Sequence, residues 1–126
     1  MYEYGCTVER VVDGDTIDVV LDLGFDIRFK SRVRLYGIDT PESRTRDKDE
    51  KVRGKMAGAF LKDAVNNGSK VVIETKLKDS RGKYGRVLGE IFIEDKDGKQ
   101  LNINKTLISE GHAYKYEGGK KKVFTS

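Results

Sequence analysis

Two stretches in the first third of the chain alternate apolar and polar residues, as half-buried β-strands do. Along 16–23, TIDVVLDL, every second residue from Ile17 to Leu23 is apolar. Along 27–37, IRFKSRVRLYG, one face carries Phe29, Val33 and Leu35 and the other carries basic residues. Because a turn beginning at a glycine joins the two stretches, the pattern predicts an antiparallel hairpin.

Apolar residues recur at helical spacing over 50–66, between a charged stretch at 43–50 and Gly68. This spacing predicts an exposed loop followed by a helix that ends near the glycine. Gly54 and Gly58 lower the helix propensity of the early turns. The predicted apolar face of this helix consists of Val52, Met56, Ala59, Phe60 and Ala64.

The second half of the chain predicts three further strands and a short helix. The strands are expected at 70–78, 87–94 and 99–102, with a loop at 80–86 and a turn at 95–99 between them. Asn104 is the expected N-cap of the small helix, and Gly111 is its expected end. Its inward-facing residues are expected to be Leu107 and Ile108.

Five short strands, one helix among them and one helix after them predict a small barrel. The expected fold class is α+β, mainly β: a five-stranded barrel of the OB type with two flanking α-helices. We expect a single domain over 1–126, ending in a basic, frayed tail at 118–126. OB barrels often bind oligonucleotides, but a fold alone does not establish a function.

Composition narrows the possible chemistry. The formal charge is +4, so the chain tolerates a polyanionic partner without requiring one. With one cysteine, Cys6, and one histidine, His112, a zinc site built from several such ligands is excluded. Cys6 is expected to be a small buried apolar residue. Neither a signal peptide nor a membrane-spanning run is evident, so we expect a cytoplasmic location unless a precursor is processed.

The first motif with possible chemistry is DGDT at 13–16. Asp13 and Asp15 flank Gly14 at the entrance of a predicted strand. The arrangement brings two hard oxygen ligands together, as calcium or magnesium prefers. An Asp-Gly pair is also common in simple turns, and on this motif alone the turn is the favoured interpretation.

The second motif follows the next strand. Arg34 lies at its end, and Asp39, Thr40, Pro41 and Glu42 form the loop beyond it. The proline fixes its own φ and favours an extended conformation in the residue before it, so the two carboxylates project from a stiff turn. The alternative is a rigid surface turn with solvated charges.

The third motif is KYGR at 83–86, in the predicted loop at 80–86. Arg86 can offer a bidentate guanidinium to a phosphate, although most isolated arginines are simply solvated. Taken together, the carboxylates and two separated arginines fit metal-assisted transfer of a phosphoryl group to water. Ligands of this kind favour calcium or magnesium over zinc.

These three motifs, in this order and with this spacing from Arg34 to Asp39, resemble the active-site motifs of the staphylococcal (micrococcal) nuclease family, also called thermonuclease-like. The resemblance covers roughly 7–117. It implies an OB-fold barrel and a calcium-dependent nuclease that hydrolyses DNA and RNA. Water would attack phosphorus in line, the 5′ oxygen would leave, and the product would carry a 3′-phosphate.

The resemblance also implies roles for individual residues. Asp15 and Asp39 would bind calcium through carboxylates and Thr40 through its backbone carbonyl, with Asp13 behind the metal ligands. Glu42 would hold or activate the attacking water. Arg34 and Arg86 would clamp the scissile phosphate. The terminal phosphate of the nucleotide would contact Lys83 and Tyr84.

Two departures from the family pattern concern the C-terminal part. We expect the third, C-terminal helix of the family to be absent, because little chain follows 117. Tyr114 and Tyr116 keep the spacing of the family's base-stacking tyrosines, but the segment from Gly111 is shorter. For this pair, base stacking and simple packing are both open.

Three functions were therefore weighed: a nuclease, a nucleic-acid-binding module on the same fold, and a protein-interaction barrel. The presence of every charged catalytic position favours the nuclease, which we expect to be a monomer acting on single-stranded or frayed DNA and RNA. The basic strand face formed by Arg28, Lys30 and Arg32, together with 120–122, is expected to steer the polyanion.

Overall fold

The computed structural model describes residues 3–43, 45–67, 70–75, 87–94 and 97–115. Within these ranges, neither helix is long and apolar enough to cross a membrane. The elements in chain order are β1 (Glu3–Asp13), β2 (Thr16–Asp22), β3 (Arg28–Leu35), β4 (Ile38–Asp39), α1 (Lys48–Asn67), β5 (Lys70–Thr75), β6 (Val87–Glu94), β7 (Gln100–Asn102), α2 (Ile103–Ser109) and β8 (Tyr114–Lys115).

Five strands close into a barrel. β1 pairs antiparallel with β2 and with β5, β2 pairs with β3, and β5 pairs with β6. The circle closes where β3 and β6 run parallel, with Val33 opposite Val87. The predicted α+β fold, a five-stranded barrel of the OB type with two helices, is confirmed.

One member of the barrel differs from the prediction. β1 was not predicted as a strand, whereas the predicted strand at 99–102 is β7, which pairs with β6 outside the closed circle. The alternation along β1 is hidden because its register with β2 shifts between Val8 and Arg10 and again between Val11 and Asp13. Cys6 of β1, which was predicted to be buried, is half-buried, and desolvation raises the pKa of its thiol to about 11.

The core fills the barrel and the space under the helices. The inward residues of β2 and β3 meet those of β5 and β6, and both helices add aliphatic side chains. The largest fully buried side chains are Ile17, Leu35, Ile38, Leu61, Ile73, Ile91, Ile103 and Leu107.

Helix α1 occurs where predicted, beginning at Lys48, but only part of its predicted face is buried: Phe60 and Ala64 pack against the core. Val52 and Met56 are 57% and 54% exposed, and Ala59 is exposed as well. The most deeply buried positions are instead Gly54, Ala57, Leu61 and Val65. The helix lies so close to neighbouring backbone in its first half that only very small residues fit there, so the apolar pattern does not mark the buried side.

Helix α2 is also present, with a different cap. Its N-cap is Asn102, whose side chain accepts a hydrogen bond from the Lys105 backbone N–H at 3.1 Å. The predicted cap, Asn104, is instead the second residue of the helix and is buried. Leu107 is buried as predicted, but Ile108 is 37% exposed.

The buried Asn104 joins α2 to the closure of the barrel. Its amide nitrogen donates to the carbonyl oxygens of Tyr36, at 2.8 Å, and Gly89, at 3.2 Å. Its amide oxygen accepts from the Ile91 backbone N–H at 3.1 Å. Tyr36 N–H also donates to the Gly89 carbonyl at 2.8 Å, so the chain just after β3 is fixed in place.

The β2–β3 hairpin extends beyond the barrel. Ile27 N–H donates to the Gly24 carbonyl at 2.8 Å, and the two residues between them, Phe25 and Asp26, have φ of 52° and 61°. Positive φ at both central positions is the signature of a type I′ turn. Leu23 and Phe29, predicted to face the core, are about two-fifths exposed because the core does not reach this far along the hairpin.

Candidate active site

Two loops at one end of the hairpin bring the predicted site residues together. The turn between β1 and β2 carries Asp15, and its backbone carbonyl accepts a hydrogen bond from Leu35 N–H at 2.8 Å. In the β2–β3 ladder, Arg34 lies opposite Thr16. This register places the arginine next to the Asp-Gly-Asp turn, although the two are about twenty residues apart in sequence.

Arg34 bridges the two carboxylates that the motifs singled out. Its Nη1 lies 3.2 Å from Asp15 Oδ2, and its Nη2 lies 3.4 Å from Asp39 Oδ1. The three side chains are only 16%, 13% and 7% exposed, for Arg34, Asp15 and Asp39 respectively. Because two carboxylates share one guanidinium, the cluster has a formal charge of −1. This excess charge lies in a largely desolvated part of the protein.

Hydrogen bonds join the loop after β3 to the Asp-Gly-Asp turn. Thr40 N–H donates to Asp15 Oδ2 at 3.3 Å, and the Thr16 hydroxyl donates to Asp15 Oδ1 at 3.0 Å. The Ser43 hydroxyl donates to Asp13 Oδ1 at 2.5 Å. Both aspartates of the turn therefore hold neighbouring chain in place, which gives Asp13 a positioning role. Ser43 was not identified from the sequence.

Glu42 occupies a different environment. Its side chain is exposed, whereas Pro41 before it is buried. The Glu42 backbone N–H donates to Glu50 Oε1, in the first turn of α1, at 3.3 Å. The backbone is thus held from both sides while the carboxylate faces solvent, where water can reach it.

Small residues let α1 pack directly under both loops. A Cβ added to Gly54 would lie 2.6 Å from the Pro41 carbonyl oxygen and 2.6 Å from the Glu42 carbonyl carbon. A Cβ added to Gly14 would lie 2.7 Å from the Ala57 Cβ. Sequence reasoning missed this contact. The signal was available, since two glycines four residues apart in a helix often mark a close backbone approach.

Tyr114 lies beside the same loop. β8 pairs with β4, which places Tyr114 opposite Asp39, and the tyrosine is 37% exposed. The other predicted substrate contacts, Lys83, Tyr84, Arg86 and Tyr116, lie outside the described residues, as do the basic tail and the region where a third helix was considered.

The donor set fits a hard divalent cation. The carboxylates of Asp15 and Asp39 and the nearby backbone carbonyl of Thr40 are oxygen ligands of the kind that calcium prefers. Among the described residues, no group of three or more His, Cys, Asp or Glu side chains could hold a metal. A cation here would therefore be held by two aspartates together with backbone and water oxygens.

The basic face predicted on β3 carries less net charge than the sequence indicates. Arg32 Nε donates to Asp18 Oδ1 at 2.8 Å, and this hydrogen bond lowers the pKa of that carboxyl below its ordinary range. Arg10 lies 3.7 Å from the same carboxylate, and Arg28 lies 3.5 Å from Asp22. Steering by this face stays a hypothesis, with a weaker electrostatic basis.

Comparison with known proteins adds independent findings. The family model described as "Staphylococcal nuclease homologue" matches residues 32–125. Endonuclease YncB of Bacillus subtilis (strain 168) is 35% identical over 120 residues, which is 93% of this chain and 52% of YncB. The SPbeta prophage-derived endonuclease YokF of the same organism is 37% identical over 120 residues, 93% of this chain and 37% of YokF.

A relative from another genus gives the same result. The thermonuclease of Staphylococcus intermedius is 38% identical over 106 residues, which is 84% of this chain and 56% of that protein. The chain thus spans about half the length of YncB and of this thermonuclease. The matched range contains Arg34, Asp39 and Glu42. The chain belongs to the staphylococcal nuclease homologue family.

Proposed function

We propose that this chain is a calcium-dependent nuclease that hydrolyses DNA and RNA and leaves 3′-phosphate products. The observation that carries the proposal is the largely buried cluster of Asp15, Arg34 and Asp39 beside the exposed carboxylate of Glu42. Relatives named as endonucleases and thermonuclease support the substrate class.

The charge of the cluster supports a cation site. Burying two carboxylates against one guanidinium leaves an excess negative charge that a divalent ion would neutralise. We propose Asp15, Asp39 and the Thr40 carbonyl as its protein ligands. Calcium, when bound there, would supply charge neutralisation at the phosphate and lower the pKa of a coordinated water.

The side chains have distinct roles in the proposed reaction. Glu42 orients the attacking water and accepts its proton as the new bond to phosphorus forms. The bond from phosphorus to the 5′ oxygen breaks, and the departing oxygen takes a proton from solvent. Arg34 stabilises the charge that develops on the phosphoryl oxygens, with Arg86 as the proposed second clamp.

Arg34 is suited to this role because it is held before substrate arrives. Its contacts with Asp15 and Asp39 fix the guanidinium from two sides, at 3.2 and 3.4 Å. A preorganised donor stabilises a transition state without the cost of reorienting at the moment of reaction. An arginine that swings freely from the surface would lack this advantage.

The remaining contacts would hold the nucleotide. Lys83 and Tyr84 are proposed to bind a terminal phosphate. Tyr114 is exposed and lies opposite Asp39 in the β4–β8 pair, a position from which its ring can stack on a base next to the scissile phosphate. Tyr116 is proposed as its partner in stacking. Such a platform favours single-stranded or frayed substrates. We propose that the enzyme acts as a monomer.

The test is hydrolysis of end-labelled single-stranded DNA and RNA with calcium and with an excess of chelator. We expect calcium-dependent cleavage whose products carry 3′-phosphates, and loss of at least a hundredfold in rate in Arg86→Ala, the usual order for an electrostatic donor. Cleavage that persists with chelator would contradict the calcium proposal. Calcium-dependent nucleotide binding without cleavage would instead indicate a binding module.

A further inference from the structure

One row of exposed lysines runs along helix α1. At 3.6 residues per turn, Lys48, Lys51, Lys55 and Lys62 fall within about 60° of arc on the helix surface. All four are exposed. The row, called the lysine ridge below, lies on the side of α1 away from Ala57 and Leu61, which are fully buried.

The charges of the lysine ridge are not neutralised by ion pairs within the part of the chain that the structure describes. Two acids at the start of α1 accept backbone hydrogen bonds: Asp47 accepts the N–H groups of Asp49 and Glu50 at 3.0 and 3.1 Å, and Glu50 accepts that of Glu42. By contrast, the barrel arginines Arg10, Arg28 and Arg32 each face an aspartate within 4 Å. Of these two basic surfaces, the ridge is the stronger attractor for an anion.

The lysine ridge is continuous with the candidate active site. The face of α1 next to it packs against the backbone of Pro41 and Glu42 through Gly54. From Lys48 to Lys62 the helix rises about 21 Å at 1.5 Å per residue. A nucleic-acid strand carries one phosphate per nucleotide, so a row of this length can face several successive phosphates.

We propose that the lysine ridge binds the phosphates of a nucleic-acid strand that extends beyond the scissile phosphate. This inference rests on the proposed function, because it takes the substrate of the site to be a polymer. A single row of charges, one lysine wide, fits a linear polyanion better than a flat anionic surface. The ridge adds affinity for long substrates and leaves the chemical step unchanged.

The test compares two triple variants with equal loss of charge. One replaces three ridge residues, Lys51→Ala, Lys55→Ala and Lys62→Ala. The matched control removes the three ion-paired arginines, Arg10→Ala, Arg28→Ala and Arg32→Ala. Circular dichroism and thermal unfolding confirm that both are folded. Binding of a fluorescent 20-mer of single-stranded DNA is then measured by anisotropy, with chelator present, over a range of salt concentrations.

The ridge variant is expected to reduce the slope of log affinity against log salt by about 2, since each lysine contributes about 0.7 on single strands. Between 1 M and 0.1 M salt, the affinity of the parent should therefore rise about a hundredfold more than that of the ridge variant. The arginine control should change the slope by less than half as much. With calcium, the KM for the 20-mer should rise in the ridge variant, whereas hydrolysis of a p-nitrophenyl phosphodiester of one nucleotide should be unchanged.

Other outcomes separate the inference from the proposed function. Equal effects of the two triple variants would mean that only net charge matters and would overturn the ridge. An unchanged salt slope in the ridge variant would also overturn the inference. The same holds if the ridge variant loses binding to vesicles of anionic phospholipid but binds the 20-mer as the parent does. If the parent hydrolyses neither substrate but shows ridge-dependent binding of the 20-mer, the nuclease proposal fails and the ridge is supported.

Discussion

The two ends of the β2–β3 hairpin differ in which side chains they bury and which they expose. At the site end, where Thr16 pairs with Arg34, charged side chains are buried: Arg34 is 16% exposed and Asp39 only 7%. At the hairpin tip, the turn from Gly24 to Ile27, apolar side chains face solvent, and Phe25 is 98% exposed. Both ends depart from the usual rule that apolar residues are buried and charges are exposed.

The two ends differ in whether other contacts offset the free-energy cost of this unusual burial or exposure. At the site end, guanidinium and carboxylates bind one another and nearby backbone, so each buried charge has partners that offset part of its desolvation. At the tip, a bulky residue adopts a left-handed conformation that costs about 1–2 kcal/mol and exposes its ring. The following variants probe that contrast between compensated and uncompensated positions.

The largest effect is expected from removing the arginine at the site end. Arg34→Ala leaves Asp15 and Asp39 largely buried without their shared cation, so the free energy of unfolding should fall by about 3 kcal/mol. Arg32→Ala, two residues away on the same strand, breaks a partly exposed pair and should cost less than about 1 kcal/mol. Urea unfolding of both variants without calcium makes the comparison. Equal losses would mean that the site cluster is no more desolvated than the surface pair.

The next effect concerns the contact between α1 and the site loops. Gly54→Ala places a methyl group 2.6 Å from the backbone of Pro41 and Glu42, so stability should fall by about 1–2 kcal/mol despite the better helix propensity. Its control is Gly58→Ala, whose Cβ would meet only the Gly14 nitrogen, at 3.9 Å. That variant should gain about 0.5–1 kcal/mol. Thermal unfolding measures whether each variant gains or loses stability. A gain in both variants would show that α1 does not press on the loop.

A smaller change of opposite sign is expected at the hairpin tip. Phe25→Asn suits the first central position of a type I′ turn, because asparagine tolerates positive φ. Stability should rise by about 0.5–1 kcal/mol, as measured by urea unfolding, and hydrolysis of DNA should be unaffected. A loss of stability would reveal packing of the ring that its exposure does not indicate.

The smallest effect is the pH dependence of the Asp18–Arg32 pair. The hydrogen bond from Arg32 lowers the pKa of Asp18 in the folded protein. The stabilisation is therefore present above the ordinary carboxyl pKa, about 4, and is lost as pH falls through the lower folded value. The difference in stability between parent and Arg32→Ala should be under about 1 kcal/mol at pH 7 and should shrink progressively as pH falls below about 4. A difference that grows on acidification would contradict this assignment.

Features formed by residues close together in the chain could be predicted from the sequence, whereas features that depend on tertiary contacts could not. The Asp-Gly-Asp turn and the Asp39–Glu42 loop were identified because their residues are contiguous, and the structure brings both to Arg34. Strand β1 was missed because its register shifts break the period-two pattern. The sequence predicts Asn104 as a cap because an asparagine near the start of a helix usually is one. Its bonds to Tyr36 and Gly89 depend on tertiary structure.

The face of α1 shows a further limit. An apolar pattern predicts burial only where side chains make the contact, and here glycine and alanine allow backbone to approach backbone. Val52 and Met56 therefore remain exposed although their spacing is helical. Gly54, one of the two glycines that lowered the predicted helix propensity, is required by the close contact with the loop of Pro41 and Glu42.

The central claim, that this end of the barrel is a nuclease site, is tested most directly by Glu42→Gln. The side chain is exposed and nearly isosteric with its replacement, so the midpoint of thermal unfolding should stay within about a degree of the parent. The rate of calcium-dependent hydrolysis of single-stranded DNA should fall by about 10²–10⁴-fold, the usual contribution of a general base. Full activity in a correctly folded Glu42→Gln protein would contradict the account and move the chemistry away from this carboxylate.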